Sequence, residues 1–203
     1  MKALILKEKN QSPQLEERVL RPLRTGYARV KITAAALNRR DVWIMRGQYP
    51  GLSYPVILGS DGCGVVVSVA DPSSEWLHRR VVLYPAFEWG GRRAVQSPDF
   101  RILGMPDDGT FAEYIDIPVP NLRNAPQHLT DAEAAALPLA GLTAWRAVMT
   151  RGRLQAGEKV FVTGIGGGVA LMAAQLARAA GATVVVSSHS DAKLAQAMAL
   201  GLQ

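Results

Sequence analysis

A chain of 203 residues, 48% hydrophobic, 20% charged and 6% aromatic, has the makeup of a folded globular protein and excludes a disordered or collagen-like polymer. Roughly 70% of the unfolded surface can be buried at this length, and the lone Cys63 excludes an internal disulfide and a four-thiolate zinc site, so a reducing, cytoplasmic setting is expected. The net charge of +6 arises within residues 1–100, where basic residues stand as singles and pairs (Arg39-Arg40, Arg79-Arg80, Arg92-Arg93) with no interleaved aromatic stripe, which argues for a solvated face and against nucleic acid.

In chain order, the opening MKALILKEKN carries too short an apolar run for a signal peptide, and no window approaches the ~18 apolar residues of a membrane span. Strands are expected over 2–7, 28–32, 64–70, 80–84 and 111–117, where β-branched or alternating residues sit between loops rich in proline and glycine. Residues 87–108 lack periodicity and read as a long loop. Near 120–130 the period changes. Thr130 and Glu133 form a capping box ahead of AEAAAL, Pro138 ends or kinks that helix, and 140–151 continues as a second helical segment. A strand at 158–163, a small-residue helix at 168–180, a strand at 183–188 and a helix capped by Ser190 and closed by Gly201 then follow, the order of a parallel sheet. The fold class is α/β: a β-rich domain over 1–125, then the first βαβα part of a Rossmann-type sheet over 126–203.

The sharpest chemical signal is VFVTGIGGGVALMAAQLA from Val160, a strand that runs through a glycine-rich turn into an alanine-rich helix. Glycines let the backbone turn tightly against a diphosphate, and the free N–H groups at the helix N-terminus attract its charge, so Gly166, Gly167, Gly168 and Val169 are expected to bind a dinucleotide. At the end of the second strand, Ser188 occupies the place where an NAD site usually offers an acidic residue. Lys193 follows one turn into the next helix, a pairing that suits the 2′-phosphate of NADP(H). His78, His128 and His189 share no metal or triad spacing, Arg39 and Asp41 read as a local ion pair, and Cys63 between two glycines reads as buried rather than nucleophilic.

These features join a set of ordered motifs: AALNRRD over 35–41, RGQYP over 46–50, PVILGSDGCGV over 55–65, DGTFAEY over 108–114 and LPLAGLTAW over 137–145. Together they resemble the N-terminal portion of a medium-chain dehydrogenase/reductase. The resemblance implies a GroES-like β-rich domain, a Rossmann domain and a hydride-transferring site in the cleft between them. It matches the zinc-ligand positions of that family to Asn38, Ser60 with Asp61, and Leu139, and its structural zinc lobe to the cysteine-free 87–108. Such side chains cannot replace thiolate and imidazole around zinc. The pattern resembles the zinc-free quinone oxidoreductase and enoyl-reductase branch, which implies NADPH-dependent hydride transfer to an activated double bond, quinone or carbonyl. Asn38 and Tyr49 are then the candidate catalytic residues, and Thr143 is expected near the nicotinamide or its ribose. A small-molecule substrate is implied, with no nucleic-acid or membrane partner and with homo-oligomerisation left open. The family continues beyond Gln203 into a third nucleotide-sheet strand, so the Rossmann part is expected to be incomplete. The alternative is an inactive chain that keeps the fold and acts through cofactor or partner binding.

Overall fold

A computed structural model describes residues 1–72 and 74–203. The chain divides into two compact units, Met1–Pro138 and Leu139–Gln203. Among the described residues no helix is long and apolar enough to cross a membrane.

The first unit is built on antiparallel sheets. Strands β1 (Lys2–Leu6), β2 (Gln14–Glu17) and β4 (Val56–Ile57) form one in the order β2-β1-β4. Strands β3 (Tyr27–Ala36), β5 (Asp61–Val69), β6 (Arg80–Leu83), β9 (Tyr114–Pro118) and β10 (Leu122–Asn124) form the other, in the order β10-β6-β5-β3-β9. Alternation drives the larger sheet: Ala28 and Val30 point inward to Val66, Val81, Leu83, Ile117 and Leu122, while Arg29 and Lys31 point away. Gly64 is required where β3 and β5 close up, because a Cβ there would lie 2.2 Å from the Lys31 carbonyl oxygen. The expected loop at 87–108 contains a small ribbon of β7 (Ala86–Phe87) and β8 (Arg101–Ile102), with Trp89 edge-on to Phe100 at 5.1 Å.

Helix α1 (Arg39–Met45) was not legible as a periodic element, since its seven residues are too few to show a stripe; it buries Arg40, Asp41 and Ile44. Helix α2 (Asp131–Ala135) carries the expected capping box: the Thr130 amide donates to Glu133 Oε2 at 2.9 Å, and the Glu133 amide donates to Thr130 Oγ1 at 3.3 Å. Its Ala134 and Ala135 pack with Cys63 and Ala125, so α2 sits within the first unit, past the change of period near 120–130. Arg80 secures it, donating to Asp131 Oδ1 at 2.6 Å and to the Leu129 carbonyl at 2.8 Å.

Thr33 and then Arg80 hold the Asp131 carboxyl below its usual range. A depressed carboxyl stabilises the fold above its unfolded value and loses that contribution as pH falls through the folded one. Asp131→Asn is therefore expected to cost about 0.5 kcal/mol at neutral pH, the scale of a solvent-screened pair. The gap from the parent should close below about pH 4, measured by urea denaturation at a series of pH values. A gap that widens in acid would contradict this.

Pro138, the last residue of the first unit, opens α3 (Pro138–Trp145), at a first-turn position where its missing N–H costs nothing, and in the second unit a π-helical turn follows over Arg146–Arg151. Strand β11 (Lys159–Val162), helix α4 (Gly168–Ala179), strand β12 (Thr183–Val186) and helix α5 (Asp191–Ala199) come next, and β11 and β12 pair in parallel, Val160 against Val184. Val160, Val162, Val184 and Val186 face a core closed by Ala174 and Ala177 of α4 and Leu194 and Ala197 of α5. Small side chains let α4 lie close on the sheet. Ser190 takes the N-cap position of α5 by backbone geometry but makes no side-chain capping bond, unlike the expected cap. Gly201, at φ +75°, follows the helix end.

Candidate functional site

In the second unit, β11 leads through Thr163 and Gly164 into a bend whose anchor is Ile165, buried and donating its amide to the Ser187 carbonyl at 2.9 Å. That bond ties the glycine turn to the end of β12. Gly164 and Gly166 take φ +68° and +106°, and Gly167 caps α4 by backbone alone, with no side-chain capping bond. The first turn of α4 thus carries the amides of Gly168 and Val169 with no capping side chain bonded to them, the arrangement that receives an anion. Lys193 lies across this turn: a Cβ built on Gly166 would sit 2.6 Å from Lys193 Cδ. Ser188 Oγ accepts from the Ser190 amide at 3.2 Å at the adjoining strand end.

Gly166, Gly167, Gly168, Val169, Ser188 and Lys193 therefore gather at the C-terminal end of the two parallel strands. Thr143 sits on α3 with its hydroxyl bonded to the Leu139 carbonyl at 2.9 Å, three residues from Ala140, whose methyl is the nearest atom to a Cβ built on Gly168 at 3.4 Å. A dinucleotide diphosphate suits this surface: Gly166, Gly167 and Gly168 carry no side chain, Gly168 and Val169 open a helix whose first-turn amides lack intrahelical acceptors, and the Lys193 stem lies beside Gly166.

In the first unit, Asn38 is the N-cap of α1. Its Nδ2 donates to Asp61 Oδ2 at 2.9 Å and its backbone amide to Asp41 Oδ2 at 2.8 Å. Pairing with a carboxylate fixes the amide orientation and leaves the second Nδ2 proton for another acceptor. Tyr49 is elsewhere, half-buried among Ile44, Val56, Leu58 and Met105 with the Arg40 guanidinium 4.7 Å from its ring centre. Asp41 does not pair with Arg39 as expected. It is turned inward to the Asn38 amide, and burial pushes its carboxyl up, offset in part by that amide and by the Arg40 charge. Cys63 is buried, and burial followed by Asp131 pushes its thiol up.

Sequence reasoning missed Arg40. It is almost fully buried and reaches Ser60 Oγ at 2.9 Å and the carbonyls of Leu103, Met105 and Ile102 at 3.0, 2.8 and 3.3 Å. A buried arginine next to a serine has no sequence signature beyond the pair Arg39-Arg40. Its presence bears on zinc: Ser60 Oγ is occupied, accepting from the guanidinium and donating to the Leu103 carbonyl at 2.7 Å, while Asn38 and Asp61 are bonded to each other. An amide, a hydroxyl already beside a fixed cation, and one carboxylate do not make a zinc ligand set.

Residues 24–127 match the family model of the alcohol dehydrogenase GroES-like domain. The chain is 38% identical over 183 residues to the zinc-type alcohol dehydrogenase-like protein YogA of Leptosphaeria maculans, covering 85% of this chain and 51% of that protein. It is 30% identical over 200 residues to the acryloyl-coenzyme A reductase of Metallosphaera sedula, covering 95% and 60%. The crystal structure of an NAD-dependent alcohol dehydrogenase superposes with a TM-score of 0.91 at 34% identity, over all of this chain and 62% of the other. The chain thus spans about half to three fifths of the length of these relatives.

Proposed function

The chain belongs to the medium-chain dehydrogenase/reductase superfamily, and from that premise we propose that it serves an NADPH-dependent oxidoreductase of the quinone and enoyl-reductase type, working without zinc. The reading is carried by the bare glycine turn at the head of α4 with Lys193 laid over Gly166. NADP(H), when bound, supplies the hydride chemistry. The amides of Gly166–Val169 hold its diphosphate, Ser188 and Lys193 take the 2′-phosphate, and Thr143 lies toward the nicotinamide ribose. Asn38 offers its second Nδ2 proton to a substrate oxygen, and Tyr49 is a wall residue held by Arg40. No carboxylate follows β12 where an NAD site would place one to accept from the ribose diol; the chain there reads Ser187-Ser188-His189-Ser190.

Titration of the purified chain with NADPH and NADH, followed by nicotinamide fluorescence, tests this. NADPH should bind more tightly than NADH. Lys193→Ala should weaken NADPH about tenfold to a hundredfold, the value of a charge-assisted hydrogen bond, and leave NADH within a few-fold. Tighter binding of NADH by the parent chain would reverse the cofactor choice, and no binding of either at millimolar concentration would remove the dinucleotide reading.

A further inference from the structure

Strand β2 lies at one edge of the sheet β2-β1-β4, and among the described residues no strand pairs with its outer side. Its ladder with β1 sets Ala3 against Glu16 and Leu4 against Leu15, and one step past the strand Met1 and Arg18 exchange backbone bonds, each of 2.8 Å. Bonded pairs alternate along an antiparallel ladder, so Gln14, Glu16 and Arg18 turn their backbone groups to β1, while Leu15, Glu17 and, in the same phase, Val19 turn N–H and C=O outward. The far side of β1 has the matching phase: the Leu4 amide donates to the Phe111 carbonyl and the Glu113 amide to the Lys2 carbonyl. Two apolar side chains stand open on this edge, Leu15 at 65% exposure and Val19 at 91%.

We propose that this edge is a dimerisation surface, to which a second copy of the chain adds its own β2 in antiparallel register, Glu17 against Glu17, Leu15 against Val19 and Glu16 against Arg18. Only registers that pair outward-facing residues with one another make backbone bonds, and this one does so at Leu15, Glu17 and Val19 of both copies. The sequence Leu15-Glu16-Glu17-Arg18-Val19 is complementary to itself in that register: an apolar pair and an opposite-charge pair each occur twice about the two-fold axis. Leu15 already faces Leu4 across β1, so Val19 of the second copy extends an apolar stripe, and Lys7 holds Glu16 at 2.6 Å in the strand. Charges and prolines commonly blunt a free edge. Here the flanking charges are opposite in sign and fall opposite each other, and Pro13 and Pro22 lie outside the paired run. The Glu17 pair on the axis is the one unfavourable contact.

Sedimentation velocity of the full chain, from about 10 µM to about 1 mM, tests this. The strip is well short of the roughly 20–30 residues a side of a standard interface, so a reversible dimer is expected with a dissociation constant on the order of 0.1 mM. Val19→Pro removes an outward N–H that the chain's own fold does not use, and should weaken the dimer at least about tenfold. Glu17→Gln removes the like-charge pair and should tighten it about threefold. Amide exchange at Leu15 and Glu17 should slow about fivefold in the dimer at the highest concentration. A chain still monomeric at the highest concentration, a dimer that survives Val19→Pro or is weakened by Glu17→Gln, or unchanged exchange at Leu15 and Glu17 as the dimer forms, would each overturn the proposal.

Discussion

Arg40→Met is expected to destabilise the first unit by about 3 kcal/mol or more, the largest stability effect in the molecule, since a buried charge-bonded network loses its centre. Methionine keeps much of the volume and removes every donor. The carbonyls of Ile102 and Met105 then lose a guanidinium partner, Ser60 loses the donor to its hydroxyl, and the Tyr49 ring loses the cation stacked on it. Asp41, already pushed up by burial, also loses the nearby positive charge. Arg40→Lys retains charge but not the planar fork that serves four oxygens, so it should recover less than half of the loss. Two units need not unfold together, so the measurement is hydrogen exchange by mass spectrometry, read on peptides covering 56–70 and 100–112. A loss under about 1 kcal/mol at these peptides would show that water replaces the guanidinium at little cost.

Arg40 also marks the limit of what the chain reveals without a structure. The features that could be read depend on local pattern: the Thr130/Glu133 cap, the parallel β11-α4-β12 unit and the buried thiol between two glycines all follow from periodicity, capping and small-residue spacing. The short elements β2 and β4, of four and two residues, and α1, of seven, fall below the length at which a period can be seen; β1 supplies the partner of both strands, and Ile44 of α1 packs with Leu6, Val56, Leu58 and Met105. The division between units falls at Pro138 because Ala134 and Ala135 are drawn onto Cys63 and Ala125, a contact that no change of composition announces. Among the candidate site residues, those near the glycine turn share a neighbourhood because a βαβ connection forces the ends of β11 and β12 together. Asn38 and Tyr49 flank the short helix α1, and each has a different partner, Asp61 for one and Arg40 for the other, that only tertiary packing brings to it.

Gly166→Val should produce the largest functional loss, at least a hundredfold in NADPH affinity. Two effects act together. The residue holds φ +106°, a conformation that costs a β-branched side chain on the order of 1–3 kcal/mol, so the turn must relax toward negative φ. A Cβ would also lie 2.6 Å from Lys193 Cδ, which displaces the lysine stem from the place where its ammonium can meet a phosphate. Losing a charge-assisted bond and the alignment of the Gly168 and Val169 amides together removes about 3 kcal/mol, near 150-fold. Strain alone is controlled by Gly157→Val: that glycine also has positive φ, at +85°, no atom within 4 Å of its added Cβ, and a place before β11 at the opposite end of the sheet. The control should lose stability of similar size and keep its NADPH affinity within a few-fold. If both variants lose cofactor equally, the effect belongs to general loosening of the second unit, and the turn around Gly166 has no special part in gripping a diphosphate.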